Sequence, residues 1–366
     1  TDTGISAEVA PGQWFSTYAE PAGVVGIIVP WNAAVALLIR SLGPALSAGN
    51  TVAVKMPGQT ALVANLVSRI IAEVTSLPRG VVNIFTESGN TGAPYLVASP
   101  DVQVISYTGS TTVGRLVAAD GAPTLKRMNL ELGGKTPMIV FDDADLDTTV
   151  PLLAAGITTF GGEFCMTGSR ILVQRGVADE VRTRLAGLLE NVHVGDGMDP
   201  ATDMGPLIDK ADVTRVDGVV QAALAYAKPI VRGGPVTDGA LAAGAFYRPA
   251  LLEVEDVSTD LVQKEVFGPV ATFEVFDTEA DAIARANATE YGLAAGVFTS
   301  NINISRRVSR EIHAGTIWTN TWAAINDGFA EGGYKQSGIG RLRGPLAITE
   351  FQEAKTVVHA IPPLQG

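Results

Sequence analysis

Cysteine and histidine are scarce in this chain. Its 366 residues include one cysteine, Cys165, and three histidines, His193, His313 and His359. A single cysteine excludes an intramolecular disulfide framework and a multi-cysteine metal site. The histidines stand far apart without ligand spacing, so no metal site is expected. Charge is sparse as well, at 17% of residues, while 46% are hydrophobic. An average soluble domain is roughly 25% charged, so this composition excludes a disordered polyelectrolyte. Lys and Arg number 26 against 38 Asp and Glu, a formal charge of −12 with no basic stripe. Nucleic acid is therefore not an expected partner. Long apolar runs are missing too. The most apolar stretch, Gly23–Ile39, is interrupted by Pro30, Trp31 and Asn32. Neither side reaches the ~20 apolar residues of a spanning helix, so no membrane partner is expected. No basic segment followed by an apolar run opens the chain, which makes the cytoplasm the expected location.

What is present is a regular alternation. The length exceeds the ~250–300 residues at which single cores stop growing, so two or three domains are expected. Apolar, β-branched runs predict strands at Val24–Val29, Thr51–Val54, Val81–Phe85, Val102–Tyr107 and Met138–Phe141. Helical spacing between them predicts helices over 37–47, 59–74, 91–98 and 111–119. Strands apolar along their whole length, separated by helices, imply a parallel sheet covered on both faces. The second half continues in the same style. Strands are predicted at 171–174, 270–276, 294–299 and 316–318, with helices over 146–160, 178–189, 213–226, 280–288 and 304–312. Gly133-Gly134 is a plausible crossing point between two α/β domains. Strand-like patterns at 13–18 and 356–361 mark the ends of the chain.

The common nucleotide signatures are absent. There is no G-x-G-x-x-G, no Walker A and no G-x-S-x-G. Three other glycine segments carry chemistry. Ile105–Thr112 runs from a strand into a helix through Gly109 and Ser110, the arrangement of a phosphate site or of an ordinary N-cap. Glu131-Leu132-Gly133-Gly134-Lys135 puts a carboxylate at a strand end, as a positioned base or a loop acid. Gly161-Gly162-Glu163-Phe164-Cys165 puts the lone cysteine in a loop rather than in an apolar stripe. A thiolate there can be accessible and activated.

Taken in order with Pro30-Trp31-Asn32, Lys55, Lys264-Glu265-Val266-Phe267-Gly268-Pro269 and Gly332–Gly338, these motifs resemble the NAD(P)-dependent aldehyde dehydrogenase superfamily over nearly the whole chain. The resemblance implies an α/β fold: a doubly wound cofactor-binding domain, an α/β catalytic domain and a small β oligomerisation element. The corresponding segments are 1–21 (oligomerisation hairpin), 22–133 (NAD(P) binding), 134–336 (catalytic) and 337–366 (C-terminal oligomerisation). It implies Cys165 as nucleophile, Glu131 as general base and Asn32 as oxyanion donor beside the Cys165 backbone N–H. It implies Trp31, Lys55, Gly89, Gly109, Ser110, Glu265 and Phe267 as NAD or NADP contacts, and a small-molecule aldehyde as substrate. A homodimer or homotetramer is the implied assembly.

Departures from the family pattern shape further expectations. Gly58 stands where the family often has a glutamate that grips the adenosine ribose. Glycine there is expected to leave room beside Lys55 for a 2′-phosphate, giving dual or NADP-leaning specificity, unless Gln59 or Thr60 replaces the contact. Ala33 and Glu331 replace aromatic residues, so with Phe164 they are expected to line a wider pocket that is more polar on one side. Thr1 falls just ahead of the hairpin segment, so the chain is expected to be N-terminally shortened relative to the family. Two other functions compete: an impaired relative that only forms oligomers, and a coenzyme A-acylating semialdehyde dehydrogenase, which a water-activating Glu131 disfavours.

Overall fold

Strand Val24–Ile28 organises the first half of the molecule. In the computed structural model, which describes residues 4–361, this strand is flanked by Thr51–Pro57 on one side and Val104–Thr108 on the other, both parallel to it. The sheet continues outward to Val82–Glu87 and to Arg127–Glu131. Its two neighbours follow it at different points in the chain, so the winding reverses beside Val24–Ile28. In sheets of this kind ligands bind outside the carboxyl ends of the strands at that reversal. Val25, Ile27, Val52, Val54 and Val104 are buried with Leu38 of helix Ala34–Ser47 in one core. Their unbroken apolar character follows from a sheet covered on both sides.

The second half builds a separate sheet of seven strands. Their order is Lys228–Val231, Ala250–Glu253, Val270–Phe276, Arg170–Gln174, Pro137–Val140, Ala294–Phe298 and Thr316–Thr319. Only the first pair is antiparallel. Alternate residues of Pro137–Val140 serve opposite faces. Met138 and Val140 join helices Leu146–Thr158 and Ala178–Glu190, while Ile139 joins Glu279–Asn287 and Ile302–Glu311. Between two central strands lies a fully buried ion pair. Arg170 Nε and Nη2 donate to Glu274 Oε1 and Oε2 at 2.8 and 2.7 Å. This two-pronged bond fixes the register of the strands that follow the cysteine loop and the Glu265 loop.

The chain forms two compact units. The first runs to Leu130 and regains Asp327–Glu331 and the residues from Gly340 onward; the second comprises Glu131–Asn326 and Gly332–Ile339. Strands Ser6–Ala10, Gln13–Pro21 and Gln352–Ala360 form a three-stranded antiparallel sheet, paired from Gln352↔Pro21 to Ala360↔Gln13. Both terminal strands are longer than their sequence pattern predicts, and the outermost residues, 1–3 and 362–366, lie outside the described ones. The strands that the sequence pattern does not predict include Ser6–Ala10, Arg127–Glu131 and two of the seven-stranded sheet, Lys228–Val231 and Ala250–Glu253. Of those last two, each is only four residues long, and Lys228–Val231 carries Pro229, which is tolerated because the strand is at the sheet edge.

Candidate active site

In the first unit, the predicted cofactor residues gather at the carboxyl ends of the sheet strands. Trp31, Asn32 and Ala33 form the link from Val24–Ile28 to helix Ala34–Ser47 and are all partly buried. Lys55 lies near the end of its strand, and its carbonyl accepts the Val29 N–H at 3.1 Å. Ser110 caps helix Thr111–Gly121, its Oγ accepting the Val113 N–H at 3.3 Å. Glycine is required just before it, because a Cβ at Gly109 would collide with the Tyr107 hydroxyl. Gly89 sits in an exposed loop after Val82–Glu87 with open space around it. In doubly wound sheets, strand ends at the winding reversal followed by a helix N-terminus are the usual place for the pyrophosphate of a dinucleotide.

Gly58 does not leave the room expected of it. A Cβ there would lie 2.9 Å from both the Glu87 carbonyl oxygen and the Ser88 Cα. The end of the neighbouring strand fills the space, so glycine is a packing requirement. Gly58→Ala is expected to destabilise the protein by about 1–3 kcal/mol through overpacking, measured by denaturant unfolding. The same strand end brings a carboxylate. Glu87 accepts N–H groups from Thr91, Gly92 and Ala93 at 3.3, 2.8 and 3.2 Å. The Gly92 bond above all holds its carboxyl below the usual range, and the Lys55 ammonium adds a smaller attraction.

Glu331 also departs from expectation. Its Oε1 takes Arg40 Nη1 at 2.7 Å and its Oε2 takes Arg343 Nε at 2.6 Å. Arg40 Nη2 reaches on to Thr108 Oγ1 at 3.0 Å. The carboxylate is thus the centre of a buried ion-pair network inside the first unit. The carboxylate expected to make the pocket more polar on one side has both oxygens occupied by arginines.

In the second unit, the cysteine loop begins with a sharp reversal. After helix Leu146–Thr158, Phe160, Gly161 and Gly162 take φ of +53°, +63° and +71°. Two glycines make that left-handed run possible. The loop is then fastened by backbone and hydroxyl groups. Thr167 N–H and Oγ1 donate to Phe164 O and Gly162 O at 2.9 and 3.0 Å, and Trp322 Nε1 donates to Met166 O at 3.1 Å. Phe164 packs edge-on against Phe160 and Trp322. Cys165 carries a half-buried thiol, outside any disulfide, on this fixed loop.

The Glu131 segment lies against it. Glu131 is buried, and a Cβ on Gly134 would collide with the Cys165 carbonyl oxygen. The second glycine of the pair is what allows this approach. Ser337 holds the segment in place: its carbonyl accepts Leu132 N–H at 2.9 Å, and its Oγ donates to Gly133 O at 2.7 Å. Gly134 N–H in turn donates to Glu265 Oε1 at 3.2 Å. Gly162 packs so closely on Gly268 that any side chain would clash. A small cleft results, lined by Gly134, Gly162, Phe164, Thr167, Glu265 and Phe267. Phe164, Glu265 and Phe267 line this cleft, and Glu131 and Cys165 belong to the same unit, while Asn32, Trp31, Lys55, Gly89, Gly109 and Ser110 belong to the other.

Burial perturbs two charged groups beside Gly134 in this unit, Glu265 and Lys135. Burial pushes the Glu265 carboxyl up to about 7, against the Gly134 bond and Lys135. Burial, then Arg170, pushes the Lys135 ammonium down to about 7, while Glu265 and Glu274 oppose the fall. Sequence reasoning passed over Lys135, Phe160 and Trp322. Lys135 was legible as the charged end of the Glu131 motif; the two aromatics carried no signal of their own.

The aldehyde dehydrogenase family profile matches residues 2–357. Aldehyde dehydrogenase 1 of Tanacetum cinerariifolium is 37% identical over 346 residues, covering 94% of this chain and 68% of that protein. Among solved structures, PnpE from Pseudomonas sp. WBC-3 aligns at 36% identity with a TM-score of 0.94, covering 99% of this chain and 74% of PnpE. Betaine aldehyde dehydrogenase from Staphylococcus aureus, solved with NAD+, aligns at 33% identity and a TM-score of 0.96, covering 100% of this chain and 73% of its own.

Proposed function

The chain belongs to the aldehyde dehydrogenase family, enzymes that use NAD(P), and from that premise we propose that it oxidises an aldehyde to its carboxylic acid through a thioester on Cys165. The observation that carries this reading is the half-buried Cys165 thiol on a fixed loop, with the Glu131 segment packed on its backbone through Gly134. The Cys165 thiolate attacks the aldehyde carbon, forming a C–S bond and an oxyanion. The Asn32 amide and the Cys165 N–H are the donors to that oxyanion; one such donor is typically worth ~2.7–4 kcal/mol. Bound NAD(P)+ supplies the hydride acceptor, with Lys55 and Ser110 toward the adenosine half and Glu265 and Phe267 toward the nicotinamide half. Collapse of the oxyanion with loss of hydride leaves a thioester. Glu131 takes a proton from water, the hydroxide adds to the thioester carbon, and the C–S bond breaks to release acid and thiolate.

Mixing the protein with NAD+ or NADP+ and a panel of aldehydes tests this, read by reduced-nicotinamide absorbance and by acid product. Turnover without coenzyme A supports the reading; strict dependence on coenzyme A would replace it with acyl transfer. The fixed Glu87 carboxylate near Lys55 disfavours a 2′-phosphate. NAD+ is therefore expected to exceed NADP+ in kcat/KM by at least about tenfold, or ~1.4 kcal/mol. Equal values would remove Glu87 from cofactor choice.

The terminal sheet supports an oligomer. Its strands expose Val9, Trp14, Tyr18 and Val358, and Ile5 just before them is exposed as well; an isolated ribbon of this kind has little burial to stabilise it. We read it as pairing with a second copy. Light scattering is expected to give a dimer or tetramer, and a strict monomer would contradict the assignment.

A further inference from the structure

The loops bearing Cys165 and Phe267 are joined by side chains that the proposed chemistry does not use. Glu163 stands just before Phe164 and Cys165 and is buried. Its Oε1 accepts the Ile208 N–H at 3.0 Å. Its side chain also shares a hydrogen bond with Asp212, in the first turn of helix Lys210–Ala223. Two carboxyl groups can share such a bond only with a proton between them. Asp212 Oδ1 accepts Arg215 Nε at 2.6 Å. Arg215 Nη1 and Nη2 donate to the carbonyls of Val266 and Phe267 at 2.6 and 3.0 Å. Phe267 has φ +52°, a left-handed conformation that costs a bulky residue energy and needs outside support. An unbroken run of hydrogen bonds therefore leads from the cysteine loop to the Phe267 backbone.

We propose that protonated Glu163 is a positioning residue for the dehydrogenase reaction, holding the Cys165 loop and the Phe267 loop in one arrangement through Asp212 and Arg215. This rests on the reading of Cys165 as nucleophile and Phe267 as a nicotinamide-side residue. With Glu163 protonated, its O–H donates to Asp212, whose Oδ1 accepts the Arg215 Nε–H. Losing that proton sets two carboxylates against each other. The charged groups that face Glu163 are Asp212 and Arg215. Burial raises the Glu163 carboxyl most, the Ile208 bond opposes it and Asp212 raises it further, to about 8. The neutral, connected form is thus the main one at neutral pH and is lost as pH rises through about 8.

The test compares the full chain with Glu163→Gln and Glu163→Ala. A glutamine amide donates to Asp212 as the protonated acid does, but cannot ionise. Single-turnover formation of reduced cofactor is followed from neutral to alkaline pH, with cofactor affinity from fluorescence titration. Glu163→Ala is expected to slow the single turnover by about 10- to 100-fold, the cost of a small misplacement of reacting groups, and to weaken cofactor binding. Glu163→Gln is expected to restore most of the neutral-pH rate and to remove the alkaline fall seen in the parent. An unchanged alkaline fall in Glu163→Gln, or parental rates and affinity in Glu163→Ala, would overturn the proposal. Melting temperature gives a reading that needs no turnover. The native state holds a proton that the unfolded chain releases, so parental stability falls with rising pH between the ordinary carboxyl range and about 8. The advantage of Glu163→Gln should grow across that window, and a pH-independent difference would also overturn the shared proton. If the reading of Cys165 fails, the failure shows separately, as Cys165 alkylation without inactivation of the parent.

Discussion

Cys165→Ala is expected to abolish reduced-cofactor formation while leaving the fold and cofactor affinity nearly unchanged. The loop around Cys165 is fastened by Thr167, Trp322 and backbone groups, none of which needs the sulfur. Truncating a half-buried thiol removes little packing, so the melting temperature should shift only slightly. Losing the proposed nucleophile should lower turnover by several orders of magnitude. Iodoacetamide should alkylate Cys165 and inactivate the enzyme in parallel. Labelling without inactivation would take Cys165 out of the reaction.

Glu131→Gln should separate the two halves of the reaction. Acylation needs the thiolate and the oxyanion donors, so a burst of reduced cofactor close to one per active site is expected. Deacylation needs a base for water, and its loss typically costs ~10²–10⁴ in rate. Steady-state turnover should fall by that factor while the burst survives. A matching loss of both phases would instead assign Glu131 a structural role, for which its burial against the Ser337-held segment provides a basis.

Much of the fold was legible because apolar strands between amphipathic helices have few other solutions than a covered parallel sheet. Strands 24–28 and 270–276 and helices 178–190 and 302–311 lie where periodicity put them, with small shifts at their ends. The short strands 228–231 and 250–253 carry too few residues to show a period. The site was legible in its glycines: Gly134 and Gly162 mark the places where backbone presses on Cys165 and Gly268. What stayed hidden depends on partners distant in the chain. Gly58 is fixed by Glu87 and Ser88, Glu331 by Arg40 and Arg343, and Glu163 by Asp212. No local pattern announces a neighbour brought in from another strand or helix. A charged residue beside a glycine pair, in a chain only 17% charged, was the one available hint.

The central claim, a thioester on Cys165 that Glu131 resolves, is tested most directly by trapping it. Glu131→Gln is mixed with NAD+ and an aldehyde that the parent oxidises, quenched in acid, digested and analysed by mass spectrometry. The account predicts an acyl group on the peptide bearing Cys165, in amount equal to the burst of reduced cofactor and released by hydroxylamine. Reduced cofactor formed alongside an unmodified Cys165 peptide and free acid would contradict it.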